Sequence, residues 1–281
     1  MKNKICLVTG ANSGIGKQVC RVLASKGAEV VMSARNAQEA NRVKDQIISE
    51  TGNSKIHLIL ADLSSFEEVV ALAEKFASQF ERLDVLINNA GIFLSDYTEN
   101  NAGIEIQWMV NYLAPYLLTR RLENRLTAAP EARVINVSSN AHFRGSIDFN
   151  DLNHRQNYQG FRAYAQSKLG NVLFTKALVQ HMSSQGLSAY SLHPGVVNTG
   201  IGDKNSDGWM SWVWRLARPF MISTQEGAQT ITYLATMPSG QEKNGSYFVK
   251  CKLQSSSELS NDRKLIERLW MVSENQVKHY L

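Results

Sequence analysis

The feature that most constrains this chain is a rhythm. Short apolar runs, each too brief for a helix, alternate with longer segments in which apolar residues recur at helical spacing. The strand candidates are Ile5 to Val8, Glu29 to Ser33, Ile56 to Ala61, Val85 to Ile87, Arg133 to Val137, Ser188 to Leu192 and Tyr247 to Val249. The helix candidates are Gly16 to Ser25, Ala37 to Glu50, Phe66 to Phe80, Gly103 to Leu126, Arg162 to Met182 and Thr224 to Leu234. Consecutive apolar positions suit parallel strands covered on both faces, and strand then helix, repeated, builds a parallel sheet between helix layers. No linker rich in Pro, Gly or Ser divides residues 1–281 and no repeat is present. The expectation is one α/β domain, a Rossmann-type doubly wound parallel sheet of about seven strands.

The first strand candidate runs directly into Thr9-Gly10-Ala11-Asn12-Ser13-Gly14-Ile15-Gly16, which opens a helix. A glycine-rich turn there lets backbone approach a pyrophosphate, whose charge the helix N-terminus favours. Gly10, Ser13, Gly14, Ile15 and Gly16 are therefore candidate phosphate-side residues. The second strand candidate leads into Ala34-Arg35, with no acid before Glu39. An acid at this place would hold both ribose hydroxyls of NAD, whereas Arg35 can pair with the 2′-phosphate of NADP. The pattern favours NADP(H) over NAD(H).

Charge narrows the partners. The 30 basic and 25 acidic residues give a net charge of +5 without a block of one sign. No Lys/Arg run is interleaved with aromatics, so nucleic-acid binding is not expected. Cys6, Cys20 and Cys251 are far apart and the histidines are scattered, so no metal site is expected; the thiols read as reduced residues of a cytoplasmic protein. Lys2 and Lys4 precede only a four-residue apolar run, Ile5 to Val8, too short for a signal segment or a membrane span.

Four ordered motifs resemble the short-chain dehydrogenase/reductase family. Thr9 to Gly16 matches its TGxxxGxG pattern, Asn88-Asn89-Ala90-Gly91 its NNAG, Tyr164-Ala165-Gln166-Ser167-Lys168 its YxxxK, and Pro194-Gly195 its PG turn. Within the family, Val110-Asn111-Tyr112-Leu113, Val134 to Ser139 and Arg268 to Ser273 look like the retinol dehydrogenase branch. The resemblance implies an oxidoreductase that interconverts an alcohol with an aldehyde or ketone. It implies Tyr164 as general acid/base, Lys168 as its partner and holder of the nicotinamide ribose, and Asn111 holding a water that links Lys168 to solvent. It also implies Asp62 and Leu63 as adenine contacts, and Asn89, Ala90 and Gly91 along the adenosine side. Pro194, Gly195, Val197 and Thr199 would grip the nicotinamide carboxamide.

The residues agree with that chemistry. Tyr164 and Lys168 are four apart in a helical segment and share a face. An ammonium beside a phenol favours phenolate, so Lys168 is expected to lower the Tyr164 pKa from its ordinary value of about 10. Ser139 follows a strand at the carboxyl edge, where its hydroxyl could stabilise charge developing on a substrate oxygen. Ser138 competes for that role, and the family pattern favours Ser139. Asn111 sits inside the long Gly103 to Leu126 helix candidate, with Pro115 placed to kink it and free a nearby carbonyl.

Between about residues 200 and 223 lies Gly208-Trp209-Met210-Ser211-Trp212-Val213-Trp214, followed by Arg215, Arg218 and Phe220. It could be a lid over a hydrophobic, retinoid-like or lipid-derived substrate, plain core packing, or a weak membrane-surface contact with the arginines at headgroups. A helical tail is expected over about 258–281. The resemblance makes a homodimer or homotetramer the candidate assembly, though the chain after Cys251 could alter that surface. Two rival readings are a nonenzymatic NADP-binding sensor on the same fold and a nucleotide-sugar epimerase or dehydratase. The set Asn111, Ser139, Tyr164 and Lys168 argues against the first, and the turn spacing against the second.

Overall fold

The computed structural model describes residues 1–182, 186–195 and 222–281. Val197, Thr199 and nearly all of the tryptophan-rich segment lie outside them. One sheet organises the chain, in strand order β3-β2-β1-β4-β5-β6-β7-β8. The strands are β1 (Ile5–Thr9), β2 (Glu29–Ala34), β3 (Ile56–Leu60), β4 (Val85–Asn88), β5 (Arg133–Val137), β6 (Ser188–His193), β7 (Tyr247–Val249) and β8 (Lys252–Gln254). All neighbours pair in parallel except β7 and β8.

Period-two alternation sends the buried strand residues into two separate cores. Leu7, Val31, Leu86 and Val134 face one layer, which contains α3 (Phe66–Gln79) and α7 (Gly160–Met182). Cys6, Val8, Val30, Met32 and Ile135 face the other, which contains α1 (Gly14–Ser25) and α2 (Ala37–Thr51). Both β1 neighbours of Leu7 are fully buried, as is Leu7 itself. Truncating such a side chain costs about 2–5 kcal/mol.

Two expectations need correction. The sheet has eight strands, not about seven, because the chain turns back after β7. The added strand is three exposed residues, and Lys250 and Cys251 turn it with φ of 51° and 58°. That left-handed backbone favours Gly or Asn, and because Lys and Cys occupy it here the usual turn signal is missing. Its conformation is supported by Thr230, whose hydroxyl accepts the Cys251 N–H at 3.1 Å.

The second correction concerns Gly103 to Leu126, which is not one continuous helix. It comprises α4 (Ile106–Trp108), a π-helical turn at Met109–Leu113, α5 (Ala114–Arg121) and α6 (Glu123–Thr127). In an α-helix the Asn111 carbonyl would receive the N–H of residue 115, which as proline has none. The backbone instead widens, and the N–H of Ala114 reaches five residues back to the Met109 carbonyl.

The carboxyl tail braces this widened turn. After α8 (Thr224–Thr236), α9 (Arg263–Val277) packs on α7. The Tyr112 hydroxyl pairs with Ser273 Oγ at 2.7 Å, and the Tyr116 hydroxyl donates to Glu274 at 2.8 Å. The segment that leads into α9 begins with a 3₁₀ turn at Glu258–Asn261. Among the described residues, no helix is long and apolar enough to cross a membrane.

Candidate active site

The strand order reverses between β1 and β4, so the connections leave in opposite directions and open a crevice at the strands' carboxyl ends. The glycine turn follows β1, the NNAG segment overlaps the end of β4 and runs past it, and the Pro194-Gly195 turn follows β6 at this edge. On the β1 side, Gly10 and Gly14 have φ of +64° and +52°, the left-handed region open to glycine. A Cβ on Gly16 would lie 2.1 Å from the Gly10 carbonyl oxygen and 2.6 Å from Asn89 Nδ2, so helix and turn touch backbone to backbone. Ser13 is the N-cap of α1, yet its side chain makes no capping bond, and the first turn holds no acid. This leaves N–H donors and the positive end of a helix dipole facing the crevice.

The NNAG segment braces this turn. Asn89 Nδ2 donates to the Thr9 carbonyl at 2.9 Å and the Gly10 carbonyl at 3.3 Å. The Thr9 hydroxyl accepts the N–H groups of Asn89 and Ala90 at 3.0 and 3.1 Å. Thr9 was not singled out from the sequence, although it opens the motif. Arg35 follows β2 with its side chain 78% exposed and 3.5 Å from Asp62. Burial alone would raise the Asp62 carboxyl, but hydrogen bonds from Ser64 and the nearby Arg35 charge hold it below its ordinary range. Leu63 beside it is buried.

On the β4–β5 side, Gly91 marks a convergence. A Cβ there would be 3.2 Å from Lys168 Nζ and 3.4 Å from Asn111 Oδ1. Lys168 is buried and donates to the Val137 carbonyl at 3.1 Å. Its nitrogen lies 5.5 Å from the centre of the Tyr164 ring. Asn111 is also buried; Oδ1 accepts the Ile92 N–H at 2.7 Å, while Nδ2 donates to the Ile92 carbonyl and to Ser167 Oγ. Its side chain is thus committed to the protein, while its backbone carbonyl is the one that Pro115 deprives of an α-helical donor.

The two adjacent serines part company. Ser138 Oγ is buried and donates to the Lys168 carbonyl at 2.7 Å. Ser139 instead caps the 3₁₀ turn at Asn140–Arg144, its Oγ accepting the Ala141 N–H at 3.2 Å, and it is half-buried. Phe93 sets the edge of its ring against Tyr164, 5.6 Å between centres at 81°. That wall was not anticipated, because no spacing rule connects residues so far apart.

The electrostatics differ from the expected acidic phenol. Burial raises the Tyr164 pKa, and hydrogen bonding from Ser139 lowers it only in part. Burial also pushes the Lys168 amine down to about 8. Lys168 donates to the Val137 carbonyl and stands over the ring of Tyr164, and desolvation is the largest influence on both groups.

Pro194 and Gly195 leave β6 at the same edge. Gly195 has φ of +99°, and a Cβ on it would lie 2.3 Å from Ile222 Cδ1. His193 is buried, which holds its imidazole down to about 4. Among the described residues, no group of three or more His, Cys, Asp and Glu could hold a metal.

Comparison with known proteins identifies the family. A family model described as short chain dehydrogenase matches residues 4–208. Retinol dehydrogenase 12 of Mus musculus is 39% identical over 270 residues, covering 96% of this chain and 85% of that protein. A crystal structure of an uncharacterised protein from Mycobacterium paratuberculosis is 29% identical with a TM-score of 0.78, covering 99% of this chain and 94% of the other. A metagenomic short-chain oxidoreductase solved in complex with NADP is 25% identical with a TM-score of 0.67, covering 89% and 97%. Motif, crevice and relatives coincide: the chain belongs to the short-chain dehydrogenase/reductase family of oxidoreductases, with the retinol dehydrogenases among its relatives.

Proposed function

We propose that this oxidoreductase interconverts a hydrophobic alcohol and its aldehyde or ketone, using NADP(H) in preference to NAD(H). The observation that carries this reading is the convergence of Ser139, Tyr164, Lys168 and Asn111 on the crevice where the strand order reverses. The uncapped start of α1 and the close-packed Gly10 and Gly16 suit a pyrophosphate. Ser13, Gly14, Ile15 and Gly16 would hold it, and exposed Arg35 would meet a 2′-phosphate. Asp62 and Leu63 would contact adenine, with Asn89, Ala90 and Gly91 along the adenosine side. Pro194 and Gly195 would orient the carboxamide, together with Val197 and Thr199, which lie outside the described residues.

NADP(H), when bound, supplies or receives the hydride at the substrate carbon. In the reductive direction, Tyr164 Oη delivers its proton to the substrate oxygen, and the Ser139 hydroxyl donates a hydrogen bond to that same oxygen. The raised phenol pKa keeps Tyr164 protonated and ready for this step. Lys168, brought down to about 8, can gain and lose a proton near neutrality and could restore the one Tyr164 has lost through an intervening hydroxyl or water. A water on the Asn111 carbonyl would connect that amine to solvent. The Phe93 wall and the kinship with retinol dehydrogenases favour a retinoid-like or lipid-derived carbonyl.

The test is NADPH consumption against retinal, long-chain aldehydes and small aldehydes, with products identified by mass spectrometry. Tyr164→Phe should lower kcat about a thousandfold, the scale of general acid catalysis, with NADPH affinity nearly unchanged. A Tyr164→Phe enzyme within tenfold of the parent would overturn the mechanism. Tight NADPH binding with no carbonyl reduced would point instead to a sensor.

A further inference from the structure

Ser139 aims its hydroxyl through a single side-chain torsion, so its usefulness to a substrate oxygen depends on how its backbone is held. One residue holds it twice. The carbonyl of Ser139 accepts the backbone N–H of His142 at 3.1 Å and the ring Nδ1 of His142 at 2.6 Å. The other ring nitrogen, Nε2, meets the backbone N–H of Ser257 at 3.2 Å, from 115 residues along the chain. A carbonyl only accepts and an amide N–H only donates, so the two partners select a neutral imidazole with its hydrogen on Nδ1.

The ring has no freedom to leave this arrangement. It is fully buried and packs against Tyr247, 4.7 Å between centres, whose hydroxyl donates to Asn140 Oδ1 immediately after Ser139. The Ser257 end is anchored as well. Lys176 on α7 donates to Ser256 Oγ at 3.1 Å and to Asn261 Oδ1, and the Ser260 hydroxyl donates to the Ser257 carbonyl at 2.6 Å.

The geometry points to His142 as a positioning residue, a strut that fixes catalytic Ser139 by tying it to the carboxyl-terminal segment at residues 256–261. The inference rests on the proposed role of Ser139. It makes the chain beyond the sheet part of the active-site scaffold, setting the aim of Ser139 from a distance.

The experiment uses the full chain, with kcat for NADPH-dependent reduction of decanal and NADPH affinity measured side by side. His142→Ala should lower kcat by about 10–100-fold, a fraction of the loss seen when an oxyanion donor is removed outright. NADPH affinity should stay within about twofold, because the phosphate and ribose contacts are elsewhere. His142→Asn, which keeps an N–H donor near the Nδ1 position, should recover most of the lost rate. Lys176→Met, which loosens the far end of the strut without touching the ring, should lower kcat several-fold and supplies the test should His142→Ala not fold.

The decisive arm is the pair with Ser139→Ala. If His142 acts through the serine, adding His142→Ala to Ser139→Ala should change kcat by less than about threefold, since groups acting as a unit are not additive. Losses that multiply, or a folded His142→Ala enzyme with parental kcat, would overturn the strut. A Ser139→Ala enzyme with parental kcat would instead remove the serine's role, and the strut's purpose with it.

Discussion

The two halves of the crevice are built by opposite means. The β1 half is made of backbone: left-handed glycines, a helix start without a cap, and contacts so close that one methyl group would collide. The β4–β5 half is made of polar side chains that are buried or half-buried, with Lys168 and Tyr164 displaced from their ordinary pKa values in opposite senses. The first half tolerates no added atom, and the second tolerates no lost one. Substitutions should therefore separate affinity from rate according to which half they touch.

The largest effect should come from Lys168→Met, which keeps the length of the side chain and removes the amine. Turnover should fall about a thousandfold, as expected for loss of a proton-transfer group. Yet the cofactor-free chain should become more stable at pH 7. Lowering this amine from 10.5 to about 8 reflects about 3 kcal/mol of unfavourable burial of the charged form, an upper bound on the gain. The sign follows from proton binding: between about pH 8 and 10.5 the unfolded chain holds more protons at this site than the folded chain. Stability of the parent should rise with pH across that window, and the gain from Lys168→Met should shrink over the same range. The Val137 carbonyl would still have the Asn171 Nδ2 donor at 3.4 Å. Urea denaturation at pH 7 and pH 10 measures this, and a variant less stable than the parent at pH 7 would contradict the assigned burial penalty.

Gly16→Ala tests the other half. Its new methyl group meets the Gly10 carbonyl, a backbone atom that cannot swing aside. NADPH affinity should fall about a hundredfold, and stability by about 1–3 kcal/mol from overpacking. The signature is a large rise in the cofactor Kd in a chain whose Ser139 and Tyr164 are untouched. Unchanged NADPH titration by fluorescence would mean that the helix start and turn do not form the phosphate cradle.

How much of this could be read from residues alone depended on the reach of the contacts. The glycine turn, the Tyr164–Lys168 pair and the parallel strands are local patterns, set by one turn of helix or the period of a strand. Between Ser138 and Ser139 the family pattern favoured the second, but the residues alone gave no physical reason, because only the packed helix has Ser138 donating into α7. The π-turn was invisible to periodicity, since its apolar residues continue a helical pattern while its hydrogen bonds do not. Pro115 was the available signal, and it marks the Asn111 carbonyl by simple counting. Strand β8 offered neither alternation nor a glycine turn. The phenol's acidity lay beyond that reach, because four-residue spacing puts two side chains on one face without saying which atoms approach or how much water is lost.

A smaller effect sharpens the comparison at its outer rim, where affinity and selectivity should divide. Arg35 is exposed and leans on Asp62, so losing it should barely alter stability. Arg35→Ala should lower kcat/KM for NADPH by about tenfold, the loss of roughly one charge-assisted contact. The value for NADH should stay within about twofold, because NADH has no 2′-phosphate. Equal losses with both cofactors would show that Arg35 shapes the site generally and would withdraw its part in the proposed preference.

The smallest effect should come from the brace behind the catalytic half. Ser273→Ala on α9 removes the partner of the Tyr112 hydroxyl, a buried group beside Asn111, and leaves that phenol unsatisfied. Such a loss costs about 1–3 kcal/mol, visible as a lower denaturation midpoint. Tyr112→Phe should be milder, since Ser273 Oγ keeps its bond to the Leu269 carbonyl at 2.8 Å. In both variants kcat should remain within about threefold, because the Asn111 contacts to Ile92 and Ser167 are retained and the π-turn is imposed from within by Pro115. A stability loss accompanied by a tenfold fall in kcat would locate the origin of the widened turn in α9 instead, and would make the tail responsible for the geometry of Asn111.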